Sequence, residues 1–161
     1  MIYRTLFILC GVLTLLHTIN NVHAQTITIL QPMDWGEFID FQTTVTRIII
    51  DEDTGVLSGD VNEVIFIRQP SRAEVFVSGG PPNSTFEVDF DGVRVEIFAA
   101  SGNERWRINR WRTSPDSPTT DGAGNASFFI GSQMISRRNF NVNRVYSDNT
   151  FTGVMNITLV F

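Results

Sequence analysis

From position 25 onward, apolar and polar residues alternate in short runs, the two-residue period of strands that are buried on one face. The pattern predicts strands over Thr26–Leu30, Thr43–Ile50, Val61–Ile67, Ala73–Val77, Thr85–Phe90, Val93–Phe98, Arg105–Arg112, Asn125–Gly131 and Phe151–Phe161. Turn-forming clusters separate them: "DEDTG", "SGGPPNS", "DFDG", "ASGN" and "SPDSPTTDGAGN". Short β-branched and aromatic runs broken by Gly, Pro, Asn and Asp predict an all-β sandwich or barrel. No helical period is sustained over several turns after the N-terminal segment. The stretch "SPDSPTTDGAGN" reads as a long, loose loop inside one domain.

Two stretches bear on how the sheets close. "VDFDGVRVEIF" reads as a hairpin, because Asp91-Gly92 tolerates positive φ and alternation continues on both sides. Phe86, Val88 and Phe90 share one face there, with Glu87 and Asp89 on the other. At the C-terminus, "FTGVMNITLVF" places Phe151, Gly153, Met155, Ile157, Leu159 and Phe161 on one face of a single strand. That strand could close a sandwich, pair with another copy or end an outer-membrane barrel. The closing strand fits best, since the other runs are shorter than the roughly ten residues of a membrane-barrel strand and carry charge on one face. "TITIL" could likewise be an internal first strand or one donated to a neighbour. The internal role is favoured, because little arm precedes it after Gln25.

The N-terminus reads as a secretory signal peptide. Arg4 lies in a short leading segment, Leu6–Leu16 is an apolar run, and "NNVHA" ends with Val22 and Ala24. The apolar run is shorter than the roughly 20 residues that span a bilayer, which argues against a retained anchor. The expected division is a signal peptide over 1–24 and a single β-sandwich domain over 25–161, exported to the periplasm, cell surface or medium. No integral membrane span is expected in the mature chain.

Composition then removes most chemistry. The only cysteine is Cys10 and both histidines, His17 and His23, precede Gln25; lysine is absent. A mature chain without His, Cys or Lys has no Ser-His or Cys-His pair, no usual zinc site, no disulfide and no Schiff base. Paired carboxylates could still serve a hydrolase, but carboxylates are too common to carry that reading. A non-enzymatic protein with no cofactor and no metal is expected. The net charge of −5 argues against nucleic-acid partners, which usually meet a basic patch.

One resemblance covers nearly the whole mature chain in order. Met33-Asp34-Trp35-Gly36 forms a hydrophobic-x-aromatic-Gly corner, and "VFVSGGPPNSTFEVDF" runs from an apolar strand into a Gly turn. "FFIGSQMIS" and the closing "FTGVMNITLVF" follow. Taken together, the set resembles the bacterial secreted family catalogued as domain of unknown function 4402. The resemblance implies an immunoglobulin-like antiparallel β-sandwich, export and a cell-surface or fimbria-like role as structural subunit or adhesin. It implies no catalytic residues. The chain departs from that pattern at Gly131-Ser132 and in the charged strand "RWRINRWR".

That charged strand holds the candidate binding residues. In regular geometry Trp106 and Ile108 face the core, while Arg105, Arg107 and Trp111 share the outer face. Guanidinium contacts and indole stacking there would suit a glycan or acidic ligand. The favoured alternative is an irregularity near Asn109-Arg110 that turns both tryptophans inward. "DEDTG" and "DFDG" lack the oxygen spacing of a calcium loop and read as acidic turns. The expected partners are other copies or envelope proteins met through strand edges, with a glycan as the alternative.

Overall fold

A computed structural model describes residues 25–40, 45–100, 105–136 and 149–161. The expected signal peptide, 1–24, lies outside the described residues, as do Thr43 and Thr44. The described chain is all-β, with antiparallel pairing throughout and a sandwich-like arrangement.

The main sheet runs β1 (Thr26–Gln31), β6 (Ala73–Ser78), β10 (Ala126–Ser136), β9 (Arg105–Ser114), β8 (Arg94–Ala99) and β11 (Phe151–Thr152). β3 (Arg47–Ile50) also pairs with β10 and carries β4 (Leu57–Gly59) at its outer side. Two ribbons form the second layer: β7 (Glu87–Phe90) with β12 (Ile157–Val160), and β2 (Glu37–Asp40) with β5 (Val64–Arg68). Each ribbon roofs one apolar cluster. Val88, Phe90, Ile157 and Leu159 pack onto Val75, Val77, Phe86, Phe128 and Ile130. Phe38 and Phe66 pack onto Ile48, Ile97, Trp106, Ile108 and Met134.

β10 is the spine, and it is longer than alternation predicted. Its first half pairs with β6 and its second half with β3, while β9 follows its other side. The change of partner falls at Gly131. A Cβ there would lie 2.5 Å from the Ile50 carbonyl oxygen and 2.6 Å from the Glu52 nitrogen. Only glycine lets the chain leaving β3 pass this close.

Several expectations are corrected. The "VDFDGVRVEIF" hairpin does not form: β7 pairs with β12, whereas β8 pairs with β9 and β11. A tight type I′ turn needs positive φ at both central residues, and of Asp91 and Gly92 only Gly92 has it, at 92°. The turn is instead a corner between layers, because Val88 and Phe90 bury against one cluster while Val95 and Ile97 bury against the other. The C-terminal run makes the same crossing and splits into β11 and β12. Asp91 N–H donates to the Asn156 carbonyl at 3.0 Å, which ties the two corners together. Gly153 is needed in that crossing, since a Cβ would lie 2.5 Å from Ile97 Cγ2. β2 and β4 were not predicted, and Val61–Glu63 forms a 3-10 turn rather than strand.

The supposedly loose loop is firmly anchored. Thr120 N–H donates to the Ser84 carbonyl at 3.0 Å, Phe86 N–H to the Pro118 carbonyl at 3.0 Å and Asn83 N–H to the Asp121 carbonyl at 3.1 Å. Thr120 Oγ1 also accepts from Ser84 N–H and donates to the Pro81 carbonyl. Gly80 is in turn packed by Phe161, whose ring contacts Phe86 at 4.9 Å. Phe161 follows β12 and packs on Phe86 at the rim of the core, where it stays 41% exposed.

Candidate functional site

β9 lies between β8 and β10, and its register sorts the arginines from the core. Trp106 opposes Ile97 and Ser136, and Ile108 opposes Val95 and Met134. Both are buried, and Trp106 meets Phe38 edge-on at 5.4 Å. On the outer face, Arg105 opposes Phe98, Arg107 lies between Glu96 and Ile135, and Asn109 lies between Arg94 and Gln133.

Glu96 anchors two guanidiniums on that face. Arg105 Nη1 donates to Glu96 Oε2 at 2.8 Å, and Arg107 Nη2 stands 4.0 Å from Oε1. The Arg105 side chain is 42% exposed and the Arg107 side chain 18%. Nε and Nη2 of Arg107 and Oδ1 of Asn109 are buried with no hydrogen-bond partner among the described residues. The face is therefore positive, with polar valences left unsatisfied beneath its surface. Such buried groups are costly to leave unpaired, and Arg107 is offered to solvent less than Arg105.

Trp111 is not on that face. A β-bulge sets Arg110 and Trp111 opposite the single residue Ser132, and Arg110 takes φ 54°. The extra residue reverses the alternation and sends Trp111 inward, where it stacks on Phe90 at 5.9 Å and 17°. It touches both clusters and so bridges the two halves of the core. The structure thus keeps Arg105 and Arg107 together and separates Trp111 from them. The sequence signal for this was the pair Trp106 and Trp111, which a regular strand would set on opposite faces.

The acidic turn at 51–55 is occupied by its own residues. Asp51 Oδ1 accepts from the Thr54 hydroxyl at 2.7 Å, from Thr54 N–H at 2.8 Å and from Asp53 N–H at 3.1 Å. Those bonds, the Thr54 hydroxyl first, hold the Asp51 carboxyl below its usual value. Arg72 fastens this turn, donating to the Glu52 carbonyl at 2.6 Å and lying over the Phe129 ring at 3.5 Å. The Asp34 carboxyl is lowered chiefly by its hydrogen bond from Arg68, which pins the Met33–Gly36 corner. Gly36 takes φ 76° there, and a Cβ would lie 2.2 Å from the Arg68 carbonyl oxygen.

The feature that alternation alone did not reveal is the exposure of β1. Its residues pair with β6 in register, Ile27 with Val77 and Ile29 with Val75, so they share the inward face of the sheet. Along one row, exposure falls from 52% at Ile29 to 0% at Val75 and 0% at Phe128. Along the next it falls from 39% at Ile27 to 0% at Val77 and 8% at Ala126. The roof of the sandwich ends at β6. Every residue of β1 is exposed, and its outer edge has no strand neighbour among the described residues.

The chain matches no family model, no curated protein and no solved structure.

Proposed function

We propose that the protein is an exported, non-enzymatic β-sandwich that works by contact, as a structural subunit or adhesin of a bacterial cell envelope. The observation that carries this reading is the open first strand: six exposed residues, uncharged and paired on one side. Sheet edges of this kind recruit other strands unless blunted, and a monomer gains nothing from keeping one. The signal-peptide pattern and the absence of His, Cys and Lys after Ala24 support it. Production with its own leader in a bacterial host, followed by fractionation and mass spectrometry, tests the reading. The expected product begins at Gln25 and lies in the periplasm or on the surface. An unprocessed chain retained in the cytoplasm would refute it.

The second reading is a binding module for an acidic glycan on the outer face of β8 and β9. It is favoured by Arg94, Arg105 and Arg107 clustering around Glu96 in a chain of net negative charge. Binding to acidic glycans that is lost in Arg105→Ala/Arg107→Ala would establish it. Trp111→Ala is not a test of that face, because Trp111 is a core residue.

A further inference from the structure

We propose that β1 is a self-association edge. Two copies pair their β1 strands antiparallel about a local twofold through Thr28, so that the main sheet continues from one molecule into the other. The inference rests on the contact-based reading above and adds the partner and the register.

Three observations select a second copy as the occupant. First, the edge contains no charge: Thr26, Ile27, Thr28, Ile29, Leu30 and Gln31 offer nothing that would attract an unlike, charged strand or repel an identical one. Second, among the described residues β1 is the longest uncharged open edge: the main sheet's other edges are shorter, β2, β5 and β7 carry charge, and β12 has four residues. β11 has two residues, and β4 has three ending at Gly59, where a Cβ would lie 2.6 Å from the Arg47 carbonyl oxygen. β7 carries Glu87 and Asp89, which would oppose like charges in a self-pair. Third, the twofold matches side chains by parity. Residues directly opposite in an antiparallel pair point to the same face, so Thr28 on the axis sets Ile27 against Ile29 of the second copy, twice. The four isoleucines then cover one another on the inward face, which the second layer leaves uncovered. The bulge that shifts register between Ile29 and Gln31 limits the regular segment to its first residues, so the pairing is short and reverses on dilution.

The chain offers a clean test, because its one native thiol can be removed without touching the described fold. In a Cys10→Ser background, Thr28→Cys is produced in full length with its leader, exported and mildly oxidised. A disulfide-linked dimer is expected from Thr28→Cys, with at least about tenfold less from Ile27→Cys, whose opposite residue is Ile29. Ile27→Lys/Ile29→Lys places like charges opposite one another at exposed positions. Light scattering is expected to show it monomeric at concentrations about 100-fold above those at which the parent chain dissociates. Should that variant misfold, the cross-linking comparison decides alone. A processed, exported protein that stays monomeric at every concentration overturns the proposal and leaves the export reading intact. A multimer that does not cross-link in the Thr28→Cys variant and survives the lysine pair also overturns it, and assigns association to another surface.

Discussion

β1 and β10 flank β6 in one sheet, and both are rich in apolar residues. Eight of the positions in β10, among them Phe128, Ile130 and Met134, are buried; in β1 none is. Local sequence does not account for the contrast, because Ile27 and Ile29 face the same way as Val77 and Val75. What differs is the other layer. The β7–β12 ribbon lies over β6 and β10 and stops there. Burial, and with it stability, belongs to pairs of layers rather than to strands, and a strand without a roof is free to serve another molecule.

The sharpest way to break the comparison is to truncate equivalent rows. Phe128→Ala removes a fully buried ring that meets Phe86 at 5.9 Å. It should cost about 3–5 kcal/mol in urea unfolding. Ile29→Ala, in the same row but half exposed, should cost under about 1 kcal/mol. Equal losses would mean that β1 is roofed after all.

Next is the point where β10 changes partner. Gly131→Ala forces a methyl into the backbone of Ile50 and Glu52, neither of which can swing aside as a side chain would. A loss of about 1–3 kcal/mol is expected, with a lowered melting temperature. The same substitution at Gly122, where nothing lies within 4 Å, should be nearly silent. Trp111→Leu should destabilise by about 1 kcal/mol through the lost stacking on Phe90, with the outer arginine face unchanged.

The smallest effect is on pH dependence. Asp34, Asp51 and Asp121 are each held below the ordinary aspartate value of 3.8, by Arg68, by Thr54 and by the Asn125 N–H respectively. Their folded forms bind fewer protons than the unfolded chain. The stability they contribute is therefore present above that value and lost as pH falls through their lowered folded values. Asp121 is exposed and Asp34 and Asp51 are only half-buried, so the loss is modest, and the melting temperature should be level from neutrality to about pH 5 and decline below about pH 4.

Much of this fold was legible in the chain. The alternation located most strands, and an irregularity near Asn109-Arg110, found at Arg110-Trp111, followed from two tryptophans that a regular strand would have placed on opposite faces. Pairing was less legible. Asp91-Gly92 signalled a reversal, yet the choice between hairpin and corner lay in which cluster each flanking strand could bury against. β2 and β4 are too short for periodicity to register. The loop "SPDSPTTDGAGN" looked loose because its anchors, Ser84 and Pro81, are distant in sequence. The open edge was least visible of all: "TITIL" reads as any half-buried strand, and only the extent of the opposite layer shows that its isoleucines are left bare.

Amide hydrogen exchange across a concentration series tests the central claim most directly. In the dilute chain, the β1 amides that point away from β6 should exchange rapidly while those facing β6 are protected. At high concentration the outward amides of Thr26–Ile29 should gain protection, with the rest of the sheet unchanged. Outward amides that exchange equally fast at every concentration would contradict β1 as the edge through which this protein meets its own kind.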